Sequence, residues 1–199
     1  RFELSWARAR TSLATDLARL RVDLVKQARA RAVSDQDKHR CDLIEAELLV
    51  RQGQPDAAIQ HLIEQSTNST PDVKGRYYLT MARIELDRGN PAEARKYTEP
   101  TKALGKDPQR ALLGVDLALL EGRIETTIKG CRQAMERIAN QEKGPIHGAF
   151  LLRLGFALLE QGDRVGATQA IHQARDLLVS HGHRSRLAEA RLFEGILAL

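Results

Sequence analysis

The stretch "LDRGNPAEARKY", Leu86 to Tyr97, decides the fold. Before it, Tyr77, Tyr78, Met81, Ala82, Ile84 and Leu86 recur near a 3.6-residue period, which predicts a helix over 73–88. Gly89 can take the left-handed position that ends such a helix. Asn90 stands where an N-cap is needed, and Pro91 fits the first helical position, where a missing N–H is harmless. Glu93 follows Asn90 by three residues, as in a capping box. The reading is two helices joined by a very short turn.

The same grammar recurs in "VRQGQPDAAIQH" (Val50 to His61) and "LEQGDRVGATQA" (Leu159 to Ala170). The turn glycines Gly53, Gly89, Gly122 and Gly162 are separated by 36, 33 and 40 residues. A near-fixed period of this length marks a repeat array. The expected hairpins are 36–66, 73–104, 108–140 and 146–181, and 184–199 begins a further first helix. Thr70 before Pro71, and Asp107 before Pro108, read as N-caps. Residues 1–32 read as helical too, with Leu13, Leu17, Leu20 and Leu24 on one stripe and a break near Arg10–Ser12. The connecting segments 66–72, 105–107 and 140–145 are too short to separate domains, so 1–199 reads as one array. Pro100 falls inside the second helix of hairpin two and should kink or shorten it.

Composition agrees. Aromatic residues make up 4% of the 199, while helix-forming Ala, Leu, Arg and Glu are abundant, which points to an all-α chain with closely packed helices. No apolar run is long enough for a membrane span, and no signal peptide is visible. Cys41 and Cys131 read as structural thiols in helices, with a disulfide or reactive role as the other possibility. The formal charge of +5 is local: residues 1–32 carry eight Lys/Arg against three acids, and the rest of the chain balances.

Motifs for chemistry are missing from the sequence. Glycines stand singly at turns, with no phosphate loop, nucleophile elbow or H-E-x-x-H helix. His181 and His183 flank Gly182, but metal binding needs further ligands at suitable spacing, so His181 reads as a residue of the last helical turn and Gly182 as its cap. Asn68-Ser69-Thr70 fits the glycosylation pattern, which matters only in a secretory protein. No catalytic residue, metal or cofactor is expected.

The hairpin pattern resembles the tetratricopeptide repeat family, with a unit of about 34 residues. That resemblance implies a small residue seven positions before each turn glycine, here Ala46, Ala82, Val115 and Gly155, and another five after it, here Ala58, Ala94, Thr127 and Ala167. A further small residue twelve after the turn is met by Ala134 and Ala174 but not by Gln65 or Thr101. The only Trp is Trp6, so the family's helix-A tryptophan is absent. In these departures the chain resembles the divergent repeats of large bacterial signalling and regulatory proteins. The resemblance implies an all-α, right-handed α-solenoid whose first helices line a concave face.

Transferred to this chain, the concave positions of hairpin one are Arg40, Leu43, Glu47, Val50 and Arg51, and those of hairpin two Arg76, Leu79, Arg83, Leu86 and Asp87. Hairpin three offers Gln109, Leu112, Asp116, Leu119 and Leu120, and hairpin four Ala149, Leu152, Phe156, Leu159 and Glu160. An Arg-rich half and an apolar half would suit a protein or peptide segment with acids at one end and Leu or Phe at the other. The alternative is a solvated face plus internal packing. Leu stands where a carboxylate-clamp Lys would be in hairpins one to three, which excludes a chaperone-tail ligand. The expected function is a non-catalytic binding scaffold in a larger regulatory protein, in a cytoplasmic setting, with docking to the rest of that chain or a homo-oligomer in view. Two other readings stand beside it: a sensory domain for a small effector, and nucleic-acid association through the basic N-terminal helix.

Overall fold

A computed structural model describes residues 22–138, 144–182 and 184–197. Among these there is no strand. The helices are α1 (Val22–Ala30), α2 (Asp35–Arg51), α3 (Pro55–Ser66), α4 (Pro71–Asp87), α5 (Pro91–Lys96), a 3-10 helix (Pro100–Leu104), α6 (Pro108–Leu120), α7 (Ile124–Arg137), α8 (Pro145–Glu160), α9 (Arg164–Ser180) and α10 (Arg184–Leu197). The chain divides between Leu104 and Gly105 into two compact units. Most of the expected N-terminal stripe (Leu13, Leu17, Leu20), Trp6 and the break near Arg10–Ser12 lie outside the described residues.

The turns are built as the spacing requires. Gly53, Gly89, Gly122 and Gly162 all have φ between 69 and 90°, where a side chain would strain the backbone. In each, the glycine N–H bonds the carbonyl three residues back and the next N–H reaches five back. In the first these are Gly53 to Val50 and Gln54 to Leu49, both at 2.9 Å. That pair satisfies the carbonyls a helix end leaves open. Caps follow local chemistry. Ser34 Oγ accepts from Asp37 N at 3.1 Å, Asp107 from Gln109 N at 2.7 Å, and Asp163 from Gly166 N at 2.9 Å.

Two cap expectations are corrected. Thr70 occupies the N-cap position without a side-chain cap bond. Asn90 has ψ of 67° and makes no cap bond either; its Nδ2 donates instead to Glu85 Oε2 at 3.0 Å. That bond to the buried Glu85 carboxylate fixes how the amide is turned. Pro100 acts as its ring predicts: α5 stops at Lys96, and the second arm of that hairpin finishes as the 3-10 helix.

In unit one α1 packs on α2, α2 on α3, α3 on α4, and α4 on α5 and the 3-10 helix; the first helices α2 and α4 also touch. In unit two the chain of contacts is α6–α7, α7–α8, α8–α9 and α9–α10, with first helices α6, α8 and α10 in sequence. The small residues that permit this approach, Ala46, Ala58, Ala82, Ala94, Val115, Thr127 and Ala167, are all buried. A Cβ placed on Gly155 would stand 2.6 Å from Ile171 Cγ1, so α8 and α9 are closer there than any side chain allows. Apolar side chains cluster around Ala46, Leu62, Tyr77 and Met81 and around Val25, Cys41 and Ile44 in the first unit, and around Phe150, Leu154, Cys131 and Ala157 and around Leu152, Leu178 and Ala190 in the second.

Candidate partner-binding face

In unit one, α2 and α4 carry the Arg-rich positions. Glu47, Arg51 and Arg76 are exposed, while Arg40, Leu43, Arg83 and Leu86 are half-buried. Leu79 is buried and belongs to the packing between helices. The cations are not isolated. Arg40 lies 3.8 Å from Asp37, Arg51 is 3.4 Å from Glu47, and Arg76 is 3.5 Å from Asp72, each within its own helix. Exposed pairs of this kind contribute only about 0.3–0.5 kcal/mol each.

Beneath that face lies a polar cluster that sequence reading did not find. Asp42 on α2 is 3% exposed. Its Oδ2 accepts the Tyr77 hydroxyl at 2.6 Å, and its Oδ1 accepts from Arg29 of α1. His61 Nε2 on α3 stands 4.0 Å from Asp42 and 3.9 Å from Glu45. Four helices thus converge on one carboxylate. The His39 ring stacks edge-on against Tyr77 at 4.7 Å. Burial, and then the Arg76 charge, push the His39 pKa down. Burial and the bond to Asp42 push Tyr77 up. The available signal was a lone Asp within the run Cys41, Ile44, Ala46 and Leu48 of α2, where a solvent-facing acid is not expected.

In unit two, Asp116 on α6 is held at 2.7 Å by Arg153 Nε of α8, and the other arm of Arg153 binds Glu189 of α10. One guanidinium therefore ties three successive first helices. Burial alone would lower the Arg153 pKa; the two carboxylates outweigh it and raise it. Leu112 and Leu152 are buried, while Leu119 and Phe156 remain half-buried. Phe156 meets Phe193 of α10 at 5.5 Å between ring centres. The surface that α6 and α8 leave accessible around Leu119 and Phe156 is thus apolar.

An open cleft of about 470 Å³ lies along α7, lined by Glu125, Lys129, Arg132, Gln133 and Glu136. Its lining carries two carboxylates and two cations. Among the described residues no three His, Cys, Asp or Glu side chains are placed to hold a metal, and no helix is long and apolar enough to cross a membrane. His181 is the C-cap of α9, with its Nδ1 2.9 Å from the Leu177 carbonyl oxygen. Cys41 and Cys131 are both unpaired and buried.

No protein-family model matches the chain, and no curated protein does. Two solved structures share its architecture. One is a signal transduction ATPase with numerous domains from Pyrococcus horikoshii that carries a tetratricopeptide repeat sensor; it aligns over 97% of this chain with a TM-score of 0.64 and 16% identity. The chain spans 31% of that protein's length. The other is a kinesin light chain-type protein of Podospora anserina with nearly identical TPR-like repeats, aligned over 90% of this chain and 95% of its own, with a TM-score of 0.59 and 17% identity. With the glycine-turned hairpins and their small-residue contacts, these likenesses establish a tetratricopeptide-like repeat fold, an all-α solenoid of antiparallel helical hairpins.

Proposed function

We propose that the chain is a non-catalytic scaffold that binds a protein or peptide on its first helices, as the sensing or docking segment of a larger regulatory protein in a reducing, cytoplasmic compartment. The observation that carries this reading is the state of the first-helix side chains. In unit one they include Arg40 and Arg76, each in an ion pair within its own helix, and in unit two half-buried Leu119 and Phe156 beside the Asp116–Arg153 pair. Such surfaces exchange partners readily and offer no group poised for proton transfer or nucleophilic attack. The partner that fits unit one is an acidic segment, and the partner that fits unit two carries Leu or Phe anchors. The ATPase named above, with its tetratricopeptide repeat sensor, supports a signalling context.

The test is affinity capture with the wild type and with an Arg76→Glu/Arg83→Glu variant, each captured protein then being purified and titrated. The reading expects a partner whose affinity falls at least tenfold in the variant, with steep salt dependence. Equal affinity for both, or a thermal shift with metabolites and none with peptides, overturns it. Retention on DNA lost when the basic N-terminal segment is neutralised would favour nucleic-acid association instead.

A further inference from the structure

His39 on α2 is 5% exposed, and its ring meets the Tyr77 ring of α4 edge-on at 4.7 Å. Arg40 follows it on α2, and Arg76 precedes Tyr77 on α4. A buried imidazole thus sits at the α2–α4 seam that carries two arginines of the unit-one face. No hydrogen bond to the described residues holds its Nδ1 in the neutral form.

The charges around the ring come from all the helices packed there. On its own helix, Arg40 opposes a proton on the ring and Asp42 favours one. From α4, Arg76 opposes it and Asp72 favours it. Tyr77 gives its hydroxyl to Asp42, Arg29 of α1 binds the same carboxylate, and His61 of α3 stands 4.0 Å from it. Burial is the largest influence and the Arg76 charge the next, both against the proton.

Of these influences, only the charges change much when a partner lands on the face. The ring is already out of solvent, so covering it further removes little water. Arg76 and Asp72 are exposed, and Arg40 is half-buried. A carboxylate set beside Arg76 or Arg40 offsets the positive field at the ring, which then holds a proton more readily. The coupling is reciprocal: a segment that tightens proton binding is itself bound more tightly by the protonated protein.

We propose that an acidic segment seated on Arg40 and Arg76 binds together with a proton taken up by His39, so that its affinity rises as the pH falls. This rests on the acidic-partner reading of unit one and adds its regulation. A bare contact between arginine and carboxylate would be flat between pH 8 and pH 6, because neither group titrates there.

Titration of the imidazole resonances by NMR tests it, with His39 assigned by the signal missing from His39→Gln. Arg76→Glu should move the His39 midpoint up by about half a pH unit or more. Saturation with an N-acetylated, C-amidated hexaglutamate peptide should move it the same way. At low salt the peptide's Kd should fall about twofold or more between pH 8 and pH 5.5 in the wild type, relative to His39→Gln over the same range. A midpoint that Arg76→Glu leaves in place overturns the proposal whatever the peptide does. So does a bound peptide whose affinity follows pH equally in wild type and His39→Gln. A peptide that binds the wild type at no pH overturns the acidic-partner reading itself, and the proposal with it.

Discussion

The Tyr77 hydroxyl donates to Asp42 Oδ2 at 2.6 Å, and so links the first helix of one hairpin to the first helix of the next through a carboxylate that solvent does not reach. Arg29 brings a third helix to the same group. A buried charge is tolerated only while its partners stay, so this bond sets how unit one responds to substitution.

Tyr77→Phe should destabilise unit one by about 1.5–3 kcal/mol, because the hydroxyl serves an ionised acceptor. Asp42→Ala should cost about 3 kcal/mol or more, since it strands a buried hydroxyl as well as opening a cavity. The double variant should cost less than the sum of the two. Urea denaturation of all three proteins checks the cycle.

Gly155→Ala should destabilise by about 1–3 kcal/mol, although alanine is the better helix former, because the new methyl meets Ile171. Gly114 on α6 has open space around it, so Gly114→Ala should stabilise by up to about 1 kcal/mol. Adding Ile171→Ala to Gly155→Ala should lose less than the two separate losses together. Thermal unfolding distinguishes the pair.

Acid should weaken unit one through His39. Burial lowers its pKa in the fold below the unfolded value of 6.5, so the unfolded chain binds the proton more tightly. Stability is then unaffected well above pH 6.5 and is lost as pH falls below it, by up to about 1.4 kcal/mol per pH unit until the native value is reached. His39→Phe should flatten that part of the profile. Urea midpoints between pH 5 and pH 8, in wild type and variant, give the comparison.

Both thiols should be inert in the native protein. Burial, with Asp42 adding to it, raises Cys41 to about 11, and burial with Asp116 raises Cys131 to about 12. Reaction with a disulfide reagent at pH 8 should be slow when folded and rapid in denaturant. Fast native labelling of either cysteine would contradict the packing described for that unit.

The hairpins were legible because glycine at a positive φ and proline at a first helical position are local requirements that no tertiary contact rewrites. Gly53, Gly89, Gly122 and Gly162 hold the turns. The small residues were legible because close helix approach leaves no room for others. Asn90 holds the N-cap position without the expected side-chain bond, and the Glu85 carboxylate that its Nδ2 meets instead is presented to it only by the folded turn. Asp42 and Arg153 were missed for a related reason. Tyr77 lies 35 positions from Asp42, and Asp116 and Glu189 lie 37 and 36 from Arg153; a repeat pattern shows which residues share a face without showing which charges meet across it. The transferred face gave a mixed result for surface. Arg76 and Phe156 are accessible, whereas Leu79, Leu112 and Leu152 are consumed by packing.

The most direct measurement is hydrogen exchange on the chain with and without the partner recovered by affinity capture. The account predicts new protection on α2 and α4 in unit one or on α6 and α8 in unit two, with α3, α7 and α9 unchanged. Protection confined to those second helices, or none anywhere at saturating partner, would contradict it.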